Sequence, residues 1–170
     1  MFMGKILFAK QNDVHVLKFV GDVRVTLGPT LSNFLNDIGR HDNLKSIVID
    51  LTETTNIDST SLGLLAKISL CSQDTVDAQP TLVSTNEDIN RILSSMGFEK
   101  VFVIVDQEMS DGLELGELPT HIVSEETLRE QVLEAHKVLM SLNAKNYASF
   151  CDLVEALERE QRNEGVLKAS

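Results

Sequence analysis

Chemistry is most readily assembled from Asp58-Ser59-Thr60-Ser61, a carboxylate followed by three consecutive hydroxyls, lying just ahead of an apolar stretch that begins at Leu62. Side chains of this kind bond the free amides that open a helix, so a polar cluster followed by apolar periodicity marks a helix start. With Asp58 as the N-cap, its carboxylate accepts from the amide of Thr60 or Ser61. Ser59 then takes the first helical position with its side chain toward solvent. A hydroxyl at that place can help cap the helix, accept a phosphoryl group or act as a nucleophile. From residue types alone, capping is the simplest of the three.

The phosphoryl reading has a definite physical content. A phosphate on Ser59 carries roughly −1.5 to −2 charges and sits beside free amides at the positive end of the helix dipole, so the fold accommodates it. The helix end stabilises an exposed anion by about 0.3–1 kcal/mol, whereas pressing an uncompensated charge into an interface costs several times more. Since about 1.4 kcal/mol is tenfold in a dissociation constant, one phosphate can weaken a partner about a hundredfold without refolding the domain.

The nucleophile reading lacks support. Gly-x-Ser-x-Gly is absent, and His15, His41, His121 and His136 have no spacing that assigns a base. A non-enzymatic protein is expected. The histidines and the two cysteines, Cys71 and Cys151, form no His-x-x-x-His or Cys-x-x-Cys pair, and there is no Gly-x-x-x-x-Gly-Lys loop, so no metal or other cofactor is expected.

The elements around this cluster read as an α/β domain. Ile6, Phe8, Val14, Val16 and Phe19 alternate on either side of the polar turn Gln11-Asn12-Asp13, predicting a β-hairpin. Leu31, Phe34, Leu35 and Ile38 recur at helical spacing between Gly28-Pro29 and Gly39. Ser46 to Leu51 is a short apolar run suited to a central strand. The helix beginning near Asp58 carries Leu62, Leu64, Leu65, Ala66, Ile68, Ser69 and Cys71, a face broad enough to predict heavy burial. Pro80 to Val83 then reads as a strand, Glu87 to Met96 as a helix ended by Gly97, and Lys100 to Val105 as another strand. Strands alternating with helices give a layered, mixed β-sheet with packed helices.

Residues 1–106 form the expected domain, and 107–123, polar, acidic and broken by Gly112, Gly116 and Pro119, an expected linker. Residues 124–165 read as a C-terminal helical hairpin. Leu128, Val132, Ala135, Leu139 and Leu142 line one helix, and Tyr147, Phe150, Val154 and Leu157 continue the rule past Asn143-Ala144-Lys145-Asn146. Ser124 is the expected cap, with Glu125 and Glu126 at the positive helix end. Two helices cannot close a core by themselves, so their apolar faces must rest on the first domain, on each other or on a second chain in a homodimer.

Composition sets the outer limits. Hydrophobic residues make up 42% and charged residues 24% of the 170, enough for a packed core without staples. The formal net charge of −11 leaves no basic face, so neither nucleic acid nor an anionic membrane is an expected partner. The N-terminal apolar stretch is interrupted by Lys5 and Lys10, no run approaches the ~18 apolar residues of a span, and the cysteines suit reduced thiols. The cytoplasm is the expected location.

Ile47 to Leu51 followed by Asp58-Ser59-Thr60-Ser61-Leu62-Gly63 resembles the strand and Asp-Ser-Ser-Gly-Leu-Gly motif of the STAS family, whose bacterial members act as anti-sigma factor antagonists. Gly21, and Ile92 through Gly97 to Phe102, are similar to further family features, and the resemblance runs from about Lys5 to Asp106. It implies that Ser59 is phosphorylated by a partner kinase, and that Asn56, Asp58, Ser59, Thr60, Ser61 and Arg24 form the partner-binding face. Ser61 replaces the usual glycine, Arg24 an acidic or amide residue, and Asn56 an apolar one, so the partner differs accordingly. The Asp-Ser-Thr variant, Leu62 to Lys67 and the helical tail also resemble a longer gamma-proteobacterial subgroup linked to motility and biofilm control. That resemblance implies a response regulator with serine kinase and phosphatase activities as controller, and an anti-sigma factor or a diguanylate cyclase as target. A constitutive adaptor whose Ser59 is never modified is the alternative, and a serine-nucleophile hydrolase the remote one.

Overall fold

The computed structural model describes residues 4–38, 46–76, 79–108 and 112–169. Gly39, the expected end of the first helix, lies outside the described residues.

The predicted hairpin is formed by β1 (Lys5–Gln11) and β2 (Val14–Val23), antiparallel and joined by Asn12 and Asp13. Both turn residues have positive φ, 52° and 65°, the backbone that a two-residue hairpin turn requires and that Asn and Asp tolerate best after glycine. A short 3-10 turn, Val25–Leu27, leads into α1 (Gly28–Ile38), which buries Leu31, Phe34 and Leu35. β3 (Ser46–Asp50) lies parallel between β2 and β5 (Thr81–Val83), and its Ile47 and Ile49 are wholly buried, as expected of a central strand.

An element absent from the sequence reading is β4 (Thr54–Ile57), in the polar segment before Ser59. It pairs parallel with the end of β2 across a register shift at Gly21, whose φ of 83° admits the irregularity. α2 (Ser59–Val76) follows directly. α3 (Glu87–Ser95) is capped by Asn86, whose side chain accepts from the amides of Asp88 and Ile89.

The strand expected over 100–105 is shorter than its apolar pattern suggests. Gly97, at φ 77°, instead opens a 3-10 turn over Phe98–Lys100, and only β6 (Val103–Val105) pairs with β5. The turn folds Phe98 and Phe102 into the core with their rings stacked at 5.5 Å, so these apolar residues serve packing rather than alternation. Gly116–Glu117 form β7, which pairs antiparallel with β1. The sheet order is β6-β5-β3-β2-β1-β7, with β4 beside β2.

Two long helices complete the chain, α4 (Glu125–Leu142) and α5 (Ala144–Ala169). Ser124 accepts from the Thr127 amide at 3.2 Å, fulfilling its capping role. Asn143 ends α4 in extended conformation and starts α5 by accepting from the Asn146 amide at 2.8 Å. The hairpin is laced by ion pairs between Arg129 and Glu164, Lys137 and Glu158, and Lys168 and Glu126. It rests on the rest of the same chain: Ala135 and Leu139 are wholly buried and belong to one continuous core with Ile49, Leu65 and Phe98. The Asn146 side chain donates to the Met96 carbonyl at 2.9 Å, tying the start of α5 to the end of α3. Among the described residues, no helix is long and apolar enough to cross a membrane.

Candidate functional site

The backbone first sets the position of Asp58. Its amide donates to the Val23 carbonyl at 3.1 Å, and its own carbonyl accepts from Leu62 to begin α2. One carboxylate oxygen, Oδ1, accepts from the Ser61 amide at 2.8 Å. The other, Oδ2, accepts from the Val25 amide at 2.8 Å. Asp58 is thus the expected N-cap, and in addition ties the helix start to the chain leaving β2. Both of its oxygens are committed to backbone, a structural use that fixes where Ser59 stands.

The other residues expected at the site divide into two groups. Asn56 is exposed and lies opposite Asp22 in the β2–β4 register. Arg24, also exposed, pairs with Asp22 at 2.6 Å, so Arg24, Asn56, Asp58 and Ser59 gather at the end of β2 and β4. Thr60 and Ser61, by contrast, are buried, because the first turn of α2 directs them inward. With α4 packed on α2, their side chains are not on the surface.

Ser59 itself is half-buried rather than turned to open solvent, and the cause lies far along the chain. Its Oγ is 2.9 Å from Nε2 of His136, on α4. The other ring nitrogen, Nδ1, is 2.8 Å from the Val132 carbonyl. A carbonyl only accepts, so Nδ1 carries a proton whatever the charge of the ring, and when the ring is neutral Nε2 accepts from the Ser59 hydroxyl. His136 is 2% exposed, and its ring meets Phe150 of α5 edge-on at 5.3 Å.

This contact exists because α2 and α4 cross with their backbones nearly touching. A Cβ placed on Gly63 would lie 2.2 Å from the Ala135 carbonyl oxygen and 2.8 Å from the Ala135 Cβ. Glycine costs a helix interior about 1 kcal/mol relative to alanine, and here the close crossing requires it. Lys67 and Glu134 form an ion pair across the same crossing at 2.8 Å. The predicted breadth of the apolar face of α2 has the same origin, since α1 lies on one side of this helix and α4 on another.

His136 was not among the residues that sequence spacing assigned to the site. The available signal was its position one residue after Ala135 and four after Val132, a titratable ring beside the apolar stripe of α4. Such a ring needs a hydrogen-bond partner once the stripe is buried. Nothing local names a partner 77 residues away.

Among the described residues, no group of three or more His, Cys, Asp or Glu side chains is placed to hold a metal ion. A cavity between α4 and α5 is lined by Glu126, Arg129, Leu133, Leu157 and Lys168 among others, and Ser59 is not part of its lining.

Residues 5–112 match the family model for the STAS domain. No curated protein matches the chain. Among solved structures, the anti-sigma factor antagonist SpoIIAA in its unphosphorylated form aligns with a TM-score of 0.50 at 11% identity, over 60% of this chain and 87% of that one. An anti-sigma factor antagonist from Mycobacterium paratuberculosis aligns with a TM-score of 0.53 at 20% identity, over 62% and 87%. At these identities the likeness is one of fold. It covers about three-fifths of the chain.

Proposed function

The chain belongs to the STAS family, and we propose that it is a phosphorylation-controlled protein-binding switch of the anti-sigma factor antagonist type, with Ser59 as the modified residue. The observation that carries this reading is the placement of Ser59 Oγ in the first turn of α2, beside a cap residue whose carboxylate is wholly engaged with backbone. A phosphate there meets the positive end of an 18-residue helix, and the fold tolerates it.

In the modifying step, Ser59 Oγ forms a bond to the γ-phosphorus of a nucleoside triphosphate held by the kinase. The bond to the leaving diphosphate breaks, and the hydroxyl proton passes to a base of the kinase. The product places a dianion where a partner must desolvate the surface formed with Arg24 and Asn56. An uncompensated charge in such an interface costs several kcal/mol, against about 0.3–1 kcal/mol gained at the helix end, so binding changes while the fold persists.

The resemblances in the Asp-Ser-Thr motif and the tail support a response regulator with kinase and phosphatase activities as controller. They support an anti-sigma factor or a diguanylate cyclase as target, in motility or biofilm control, and a cytoplasmic setting.

The Ser59–His136 hydrogen bond favours a second reading, serine-nucleophile catalysis. Three features weigh against it. His136 is oriented by a backbone carbonyl rather than a carboxylate, its ring is shielded, and the Ser61 amide that could stabilise an oxyanion is held by Asp58. Turnover of an activated ester that disappears in Ser59→Ala would establish the hydrolase.

The switch is tested by phosphopeptide mass spectrometry on the protein from its cells, together with pull-downs using Ser59→Ala and Ser59→Asp baits. Phosphate on Ser59 and different captured partners are expected. Identical partner sets for both baits would overturn the switch, and an unmodified Ser59 under all conditions would leave the constitutive adaptor.

A further inference from the structure

We propose that the α4–α5 hairpin is a cis-acting cap on the Ser59 face, latched by the Ser59–His136 hydrogen bond, and that phosphorylation of Ser59 and docking of the hairpin exclude one another. The inference rests on Ser59 being the modified residue.

The latch is chemically specific. With the ring neutral, the Ser59 hydroxyl is the donor and His136 Nε2 the acceptor, because Nδ1 is committed to the Val132 carbonyl. A phosphoryl group on Oγ replaces the one proton this bond uses. It also adds bulk where Oγ already lies 2.9 Å from a ring that is 2% exposed. A neutral ring is then left with an unpaired buried acceptor, a loss that falls on the closed arrangement alone.

Geometry removes the means of adjustment. Where α4 crosses α2, Gly63 and Ala135 leave no room even for a Cβ, so α4 cannot shift inward. It accommodates a larger group at Ser59 only by moving off. The same closeness hinders a kinase, whose active site must surround a hydroxyl that α4 half covers. The kinase therefore acts on the open arrangement, and the phosphate it leaves opposes reclosure.

The cap packs chiefly on the helices α2 and α1 rather than on the strands of the sheet. Its wholly buried side chains on α4 are Ala135 and Leu139. Across the α2–α4 crossing it is steered by the partly exposed Lys67–Glu134 pair, and at its far end by the Asn143 and Asn146 bonds to the Met96 carbonyl. The Ser59 face is consequently a surface for which the protein's own α4 competes with other proteins. An occupant that replaces α4 there needs a small residue opposite Gly63 and a hydrogen-bond acceptor opposite Ser59.

Hydrogen exchange by mass spectrometry on the full-length chain tests the cap. In the wild type, the amides of residues 129–140 should be protected. In Ser59→Asp they should exchange at least about tenfold faster, the factor that about 1.4 kcal/mol represents, with β2 and β3 unchanged. Gly63→Ala, which forces the crossing apart with Ser59 intact, should do the same. Ala135→Leu supplies an equivalent wedge from the α4 side should the Gly63 variant fold poorly. Exchange of 129–140 that stays at the wild-type rate, or slows, in Ser59→Asp and the wedge variant alike overturns the cap. The partner-switching reading is judged separately by the pull-downs, which register whether any protein distinguishes the two Ser59 baits.

Discussion

Replacing Asp58 separates what holds the site together from what signals through it. Both of its carboxylate oxygens are used, Oδ1 by the Ser61 amide and Oδ2 by the Val25 amide, each at 2.8 Å. Asp58→Ala removes an N-cap, at about 0.5–2 kcal/mol, and leaves the Val25 amide without its acceptor, at about 1–3 kcal/mol. The expected total is about 3 kcal/mol, a large share of a domain's net stability. With a urea slope of about 2 kcal/mol per molar, the unfolding midpoint should fall by about 1–2 M at constant slope. Asp58→Asn retains one oxygen. If that oxygen serves Ser61, its amide group faces the Val25 N–H, donor against donor, so the loss should be about half that of alanine. Urea denaturation followed by far-ultraviolet circular dichroism measures all three proteins. A midpoint for Asp58→Ala equivalent to less than about 0.5 kcal/mol of loss would refute the two-bond account of the cap. An asparagine variant less stable than alanine would refute the division between the oxygens.

Ser59→Ala and Ser59→Asp should keep the wild-type circular dichroism spectrum. The alanine variant should lose about 1–2 kcal/mol because His136 Nε2 loses its donor, read from the same urea titrations. Gly97→Ala should cost about 1–2 kcal/mol, since Gly97 has φ 77° and an added Cβ would lie 2.5 Å from Asn143 Nδ2. Local exchange at the α4–α5 junction should rise with it. The hydrogen bond from Lys168 and then its positive charge, with help from Arg129, hold the Glu126 carboxyl below the usual carboxylate range. The contact's small contribution is therefore fully present above the pKa of the unfolded carboxyl and is lost as the pH falls through the depressed folded value. An NMR titration should show Glu126 moving back toward its ordinary pKa in Lys168→Gln.

Where the chain's local chemistry decides the structure, the sequence is readable. Asp58 through its Oδ1, Ser124, Asn12-Asp13 and Gly97 each act on their own or nearby backbone, and each occurs in the role its residue type suggests. The central strand at Ile47 and Ile49 is legible because burial on both faces leaves an apolar run. β4 was not, since Thr54 to Ile57 pair through backbone with a strand more than 30 residues away and carry no alternation that would reveal it. β6 was overextended for the opposite reason, in that Phe98, Val101 and Phe102 are apolar in order to pack around a 3-10 turn rather than to alternate. At the site, the same distinction separates the position of Ser59 from its environment. Capping rules place its Cα at the head of α2, but the exposure of its hydroxyl depends on what crosses that helix, and Gly63 opposite Ala135 decides this across 72 residues of chain. The small residue inside an otherwise apolar helix was the sequence's mark of a close neighbour. His136, next to Ala135, then bonds the Ser59 hydroxyl through Nε2 while its other nitrogen meets the Val132 carbonyl. The motif by itself therefore describes an open serine, whereas the folded chain presents one that its own α4 already binds.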